Sequence, residues 1–169
     1  MRRIMINFEK CLGCHSCELA CAVVHSDNQN LLGALMEKKI PMSRVVVGRS
    51  GTTNYPLQCR HCSDARCIKA CLAGALYRDP KTLTVQQYVQ KCVGCWMCIM
   101  ACPFGLIAEN TNGKTAGKCD LCTDRDIPAC VNACLTGALV FEETANYNKQ
   151  KRLDYLIEFP KKEEVSANE

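Results

Sequence analysis

A chain of 169 residues with sixteen Cys and a formal net charge of +4 has room for one domain or two very small ones. An exported disulfide scaffold fits poorly, because Met1 to Phe8 leaves no space for a signal segment before Cys11, and close Cys spacings recur along the chain. No apolar run approaches the roughly 20 residues that cross a bilayer, and no basic stripe with interleaved aromatics marks a nucleic-acid surface, so a cytoplasmic protein with no membrane span and no nucleic-acid partner is expected.

In chain order, Arg3 to Phe8 reads as a strand that leads into Lys10-Cys11-Leu12-Gly13-Cys14-His15-Ser16-Cys17-Glu18-Leu19-Ala20-Cys21. The helical spacing of Leu31, Leu32, Leu35 and Met36 marks Asn30 to Lys39 as a helix that covers the sites beneath it or docks a partner. Arg44 to Val47 reads as a strand and Gly48 to Pro56 as a turn. The second motif is Cys59-Arg60-His61-Cys62 with Cys67 and Cys71. A strand at Ala75 to Arg78, a turn at Asp79 to Thr82 and a return strand at Leu83 to Val85 follow. They lead to the third motif, Lys91-Cys92-Val93-Gly94-Cys95-Trp96-Met97-Cys98-Ile99-Met100-Ala101-Cys102-Pro103. The fourth motif, Cys119-Asp120-Leu121-Cys122 with Cys130 and Cys134, contains a loop at Thr123 to Ala129 and is followed by a strand at Ala138 to Phe141. From Tyr147 to Phe159, Leu153, Leu156 and Ile157 share one helical face, and Lys161 to Glu169 reads as a charged, disordered tail.

The third motif carries the chemical argument. In a C-x2-C-x2-C-x3-C-P run three thiolates hold a [4Fe–4S] cube, and the fourth ligates the other cluster of a pair. Gly94 lets the loop curl tightly, and Pro103 ends the helix that carries Cys102 away. Zinc takes paired Cys in a tetrahedron, which suits three closely spaced thiols and a displaced fourth poorly. The first motif repeats the third's leading Lys, its Gly before the second Cys and its Ala before the last. The second and fourth share an ending, Ala70-Cys71-Leu72-Ala73-Gly74-Ala75-Leu76 against Ala133-Cys134-Leu135-Thr136-Gly137-Ala138-Leu139. Two complete copies of each of two motif types imply four [4Fe–4S] clusters. Sixteen thiolates and four cores of about +2 move the charge balance to about −4, so the basic residues compensate buried negative charge.

The strands between motifs divide the chain. Residues 56–108 return from the second motif to the third as one inner two-cluster unit. The strand after the fourth motif has Arg3 to Phe8 as its natural partner, so 1–55 with 109–145 forms an outer unit, and 146–169 is a C-terminal extension. The expected fold class is α+β: two interleaved bacterial-type two-[4Fe–4S] ferredoxin-like units with short strands, short helices and much irregular loop. Crosswise ligation then gives the sets Cys11, Cys14, Cys17 with Cys134; Cys59, Cys62, Cys67 with Cys102; Cys92, Cys95, Cys98 with Cys71; and Cys119, Cys122, Cys130 with Cys21. Exchanging partners would alter these sets but not the count. His15, His25 and His61 are assigned hydrogen-bonding or surface roles, since sixteen Cys leave no ligand position open, and Trp96 and Met97 shield the third cluster from water. Because they share one unit, the second and third motifs' clusters are expected in the middle of the row, with the first and fourth motifs' clusters nearer the docking surfaces or the reverse, and the order of the ends open.

The motif order, Cys59-Arg60-His61-Cys62, and Lys118-Cys119-Asp120-Leu121-Cys122-Thr123-Asp124-Arg125 resemble the four-cluster electron-transfer subunits of the dimethyl sulfoxide reductase and hydrogenase type. Within that group, Cys17-Glu18-Leu19-Ala20-Cys21-Ala22-Val23-Val24-His25-Ser26 is similar to the iron–sulfur carrier that accompanies carbon monoxide dehydrogenase (CooF-like). Similar small subunits accompany formate-oxidising and tungsten-pterin aldehyde-oxidising enzymes. In that family the motifs also pair first with fourth and second with third. This chain departs from it in having Leu72 and Leu135 where Pro often follows the Cys, and in lacking the long insertions of membrane-bound reductase subunits, which argues against a quinone-linked membrane partner. The resemblance implies a subunit with no catalytic site of its own. It would relay single electrons between a catalytic oxidoreductase subunit (carbon monoxide dehydrogenase, or a tungsten/molybdenum-pterin aldehyde or formate oxidoreductase) and a downstream ferredoxin, flavoprotein or hydrogenase module. A freely diffusing polyferredoxin is the alternative. No Gly-rich phosphate loop, nucleophile elbow or incomplete ligand set points to catalysis.

Overall fold

The computed structural model describes residues 2–111 and 113–166, and the side chains among them as far as Ile157. Its strands are short: β1 Arg2–Ile6, β2 Val45–Ser50, β3 Thr53–Gln58, β4 Leu76–Arg78, β5 Val85–Gln87, β6 Ile107–Glu109, β7 Ala116–Lys118 and β8 Leu139–Glu143. The helices are α1 Ser16–Val24, α2 Leu31–Met36, α3 Arg66–Lys69, α4 Met97–Ala101, α5 Ala129–Asn132 and α6 Thr144–Ser166. The strands pair only as two-stranded antiparallel ribbons among the described residues, β1 with β8, β2 with β3, β4 with β5 and β6 with β7. The class is α+β.

A two-stranded ribbon is marginal in water and needs a packed face. Here α1 packs with α5, and α3 with α4. The first pair builds a core from Cys17, Cys21, Val45, Cys130 and Leu139, with Ile4 and Ile6 of β1 against it. The second pair builds one from Leu76, Cys98, Ile107 and Ala116, ringed by Cys67, Cys71, Cys92 and Cys102. Both cores are therefore made largely of sulfur. In β1 and β8, Ile4 lies opposite Phe141 and Ile6 opposite Leu139, the expected pairing of the chain's two ends. The β4–β5 ribbon is likewise the one the turn at Asp79 to Thr82 implies, but its return strand is Val85–Gln87 and not Leu83 to Val85, since Leu83 is left-handed (φ 52°) and closes the turn.

Four local readings change. Gly48 to Pro56 is mostly strand, not turn: only Gly51 and Thr52 separate β2 from β3, and Pro56 sits opposite Val47. Pro fits there because a ribbon edge asks nothing of its missing N–H. The helix expected from Asn30 to Lys39 closes after Met36, where Glu37 turns extended. Its start is capped by Asn30 Oδ1, which accepts the Gly33 N–H at 2.7 Å. Leu32, Leu35 and Met36 point to solvent and only Ala34 is buried, so α2 does not cover the cysteine sites with its apolar residues. The helix α6 continues to Ser166, through most of the segment read as a tail; residues 167–169 lie outside the described residues. Its first turns lean on β1 and β8, with Tyr147 Oη donating to the Ile6 carbonyl at 3.5 Å, while Leu153, Tyr155, Leu156 and Ile157 are exposed.

Candidate metal centres

The first and third motifs are built alike. Each follows a single turn of 3-10 helix, Phe8–Lys10 or Val89–Lys91. Each then passes through two left-handed residues, Gly13 (φ 71°) and His15 (φ 59°), or Gly94 (φ 67°) and Trp96 (φ 61°). His15 and Trp96 are also the N-caps of α1 and α4. Two such turns with a Cys between them curl the backbone so that successive thiols face one centre. Glycine is required at 94 twice over, since a Cβ there would also lie 2.5 Å from the Lys114 carbonyl oxygen.

The second and fourth motifs also share a frame. His61 (φ 45°) and Leu121 (φ 65°) occupy matching left-handed positions, but Cys122 (φ 46°) adds a second left-handed residue to the fourth. A short helix then carries Cys67 or Cys130. Arg78 pins the second loop to β4 by donating to the carbonyls of Cys62 and Ser63.

Three cavities are each lined by four thiols. Cys59, Cys62, Cys67 and Cys102 line the first, with Ala65, Phe104 and Ile107. Cys71, Cys92, Cys95 and Cys98 line the second, with Trp96 and Ala116. Cys11, Cys14, Cys17 and Cys134 line the third, with Leu12, Val47 and Leu139. Of the remaining four, Cys21, Cys122 and Cys130 lie close together: burial pushes the Cys130 thiol up to about 12, and the charges of Cys21 and Cys122 add to the rise. Cys119 is held differently. It is buried, its Sγ accepts the Leu121 N–H at 3.4 Å, and its thiol is raised by burial, with Cys59 among the charges acting on it. Motif spacing carries no sign of this, nor of the extra left-handed residue at Cys122.

The donor set suits iron–sulfur clusters. All sixteen Cys are free of disulfides. Each cavity takes three thiols from one motif and a fourth from another, the arrangement that holds a [4Fe–4S] cube and not the paired Cys of a structural zinc site. Backbone N–H groups already point at four of them: Arg44 to Cys21 at 3.3 Å, Ala75 to Cys71 at 3.2 Å, Leu121 to Cys119 and Leu139 to Cys134, both at 3.4 Å. Such donors favour the thiolate. Burial holds unmetallated Cys17 up at about 11, so metal binding at these sites must expel protons.

Long-range polar contacts around Cys21 and Cys119 were not legible in the sequence. Asp120 Oδ2 accepts from Arg44 Nη1 at 2.6 Å and lies 3.2 Å from His25 Nε2. Its Oδ1 accepts the Cys122 N–H at 3.0 Å. Burial opposes its ionisation, yet His25 and Arg44 hold it well below the usual carboxylate range. Burial also works against a charged His25, and the hydrogen bonds to Asp120 and Cys21 overcome it, lifting the ring to about 9. His61 is the opposite case, lowered to about 3 by burial and by Lys118 and Arg3. Its Nδ1 accepts the Val85 N–H at 3.0 Å. His15 pairs with Glu18 at 2.8 Å on the surface. All three rings thus have hydrogen-bonding roles.

The two halves meet at β5. Gln86 Nε2 donates to the Asp120 carbonyl at 3.0 Å, Gln87 Nε2 to the Ala116 carbonyl at 2.8 Å, and Lys118 Nζ to the Val85 carbonyl at 2.5 Å. Cys14 and Cys95 are the two exposed cysteines.

The family described as "4Fe-4S dicluster domain" matches residues 52–144. An "Iron-sulfur protein" of Rhodospirillum rubrum is 40% identical over 153 residues, covering 80% of this chain and 79% of that one. The "Electron transport protein HydN" of Escherichia coli (strain K12) is 37% identical over 155 residues, covering 82% and 86%. The "Thiosulfate reductase electron transfer subunit PhsB" of Salmonella typhi is 33% identical over 147 residues, covering 82% and 74%. With thiol-lined cavities, a matching family model over more than half its length and relatives along most of it, the chain belongs to the 4Fe-4S dicluster domain family and is an iron–sulfur protein of electron transport.

Proposed function

We propose that the sixteen Cys hold four [4Fe–4S] clusters in the sets Cys11, Cys14, Cys17, Cys134; Cys59, Cys62, Cys67, Cys102; Cys71, Cys92, Cys95, Cys98; and Cys21, Cys119, Cys122, Cys130. The observation that carries this reading is the convergence of four thiols on each of three separate cavities. Bound clusters of this kind exchange one electron each. Residues 1–55 with 109–145 form the outer unit, 56–108 the inner unit, and 146–169 an extension.

In this reading the second and fourth sites are central and the first and third terminal, unlike the order expected from shared units. The joint at β5 and Lys118, which ties the second motif's site to the fourth motif, supports it, as does the exposure of Cys14 and Cys95 in the first and third. Apolar side chains surround both ends. Leu12 and Leu135 are exposed beside the Cys11 set, and Leu72 and Val93 beside the Cys71 set. Two such rims suit two docking partners, in keeping with apolar contact zones at protein interfaces.

The chain is then a cytoplasmic subunit without a catalytic site of its own, close in kind to the carbon monoxide dehydrogenase iron–sulfur carrier (CooF-like). It relays electrons one at a time between a catalytic oxidoreductase subunit, either carbon monoxide dehydrogenase or a tungsten/molybdenum-pterin aldehyde or formate oxidoreductase, and a ferredoxin, flavoprotein or hydrogenase module. Among the described residues, no helix is long and apolar enough to cross a membrane. Gel filtration of native material prepared without oxygen, with mass spectrometry of the peak, tests this. Co-elution with a larger catalytic chain is expected; elution of this chain alone would favour a freely diffusing polyferredoxin.

A further inference from the structure

Lys118 closes β7 at the joint between the two halves, and its side chain is only 3% exposed. Its Nζ donates to the carbonyls of Val85 and Cys119, both at 2.5 Å. Among the described residues it forms no ion pair. Two carbonyls satisfy its hydrogen bonds but leave its charge uncompensated, and a buried ammonium without a counter-ion is strongly disfavoured. Asp120, the carboxylate that lines the same cleft as Lys118, is engaged instead by Arg44 and His25.

What Lys118 does hold is one residue from each of the two sites. The Val85 carbonyl it binds belongs to a residue that lines the cavity of the Cys59 set, and the other carbonyl belongs to Cys119 itself. Cys67 lines the cavity of the Cys59 set, and Cys119 opens the fourth motif. Arg60 and Arg66 line the cavity of the Cys59 set directly, with Asp64, and no Lys or Arg lines those of the Cys11 and Cys71 sets; Lys118 is the cation tied to both the Cys59 set and the fourth motif.

We infer that Lys118 is a counter-charge shared by the two central clusters, those of the Cys59 set and the Cys21 set, and that it raises the reduction potential of both. The inference rests on the four-site reading above. Four thiolates around a core of about +2 leave each loaded site negative, and adding an electron makes it more so. A fixed cation in a weakly screening interior favours that addition. Placed at the joint, one charge acts on both sites between which an electron leaves one unit for the other. Lys118 is thus a positioning residue for charge, not a ligand.

The test uses the loaded full-length chain with Lys118→Met, Lys118→Gln and Lys118→Arg, read by iron content and by EPR-monitored redox titration. Met keeps the length of the stem and loses both charge and donor; Gln keeps a donor without charge; Arg keeps charge. The Met and Gln variants should reduce at least tenfold less favourably at two of the four clusters, which is about 59 mV for one electron, with the other two unmoved. The Arg variant should recover most of the shift. Loss of iron from the Met and Gln variants with retention in Arg would point the same way. Unaltered potentials in fully loaded Met and Gln variants, an equal shift at all four clusters, or an Arg variant no better than Met would overturn the inference while leaving the four-site reading in place. An unmutated chain holding far fewer than about sixteen irons would instead remove that reading, and this inference with it.

Discussion

Cys134→Ser is expected to damage the cluster of Cys11, Cys14 and Cys17, at the opposite end of the sequence, and to leave those of the second and third motifs intact. Cys134 reaches the first motif because β8 follows it directly and lies against β1, with Ile6 opposite Leu139. The Leu139 N–H that donates to Cys134 Sγ fixes the sulfur at that crossing. Serine offers a harder oxygen ligand in place of thiolate, so the site should lose between one and about four irons. Iron counting with EPR checks this. A loss confined to a cluster of the Cys59 or Cys71 set would show that the motifs pair differently.

Removal of the metal should cost the chain its cooperative fold. Three of the five buried residues in the first core are Cys17, Cys21 and Cys130, and four of the residues packed around the second are Cys. Without clusters these side chains surround empty space, and the ribbons have little else to bury. A chain this small gains its stability from such staples. Chelation under reducing conditions should abolish the thermal transition by circular dichroism; a metal-free chain that still unfolded cooperatively from native secondary structure would contradict this.

Much of this architecture could be read from residue order. Sulfur spacing located all four motifs, and the strand left without a neighbour after the fourth motif pointed to Arg3 to Phe8. Features that depend on contacts across the fold were hidden. The β6–β7 hairpin has strands of only three residues, Ile107–Glu109 and Ala116–Lys118, too short for alternation to register, although Asn112-Gly113 between them is a hairpin turn signal. Gly48 and Pro56 suggested a turn because both residues favour one, yet a ribbon edge tolerates them. Lys118 looked like part of a motif, and nothing local announces that β5 buries it. The ties of Asp120 to Arg44 and His25 join segments far apart in the chain, beyond the reach of any window.

Iron, acid-labile sulfide and zinc measured on anaerobically purified full-length chain decide the matter most directly. Four sites of four thiols each require about sixteen irons and about sixteen sulfides per chain, with zinc absent. Stoichiometric zinc, or about half that iron, would mean that these cysteines serve some other purpose.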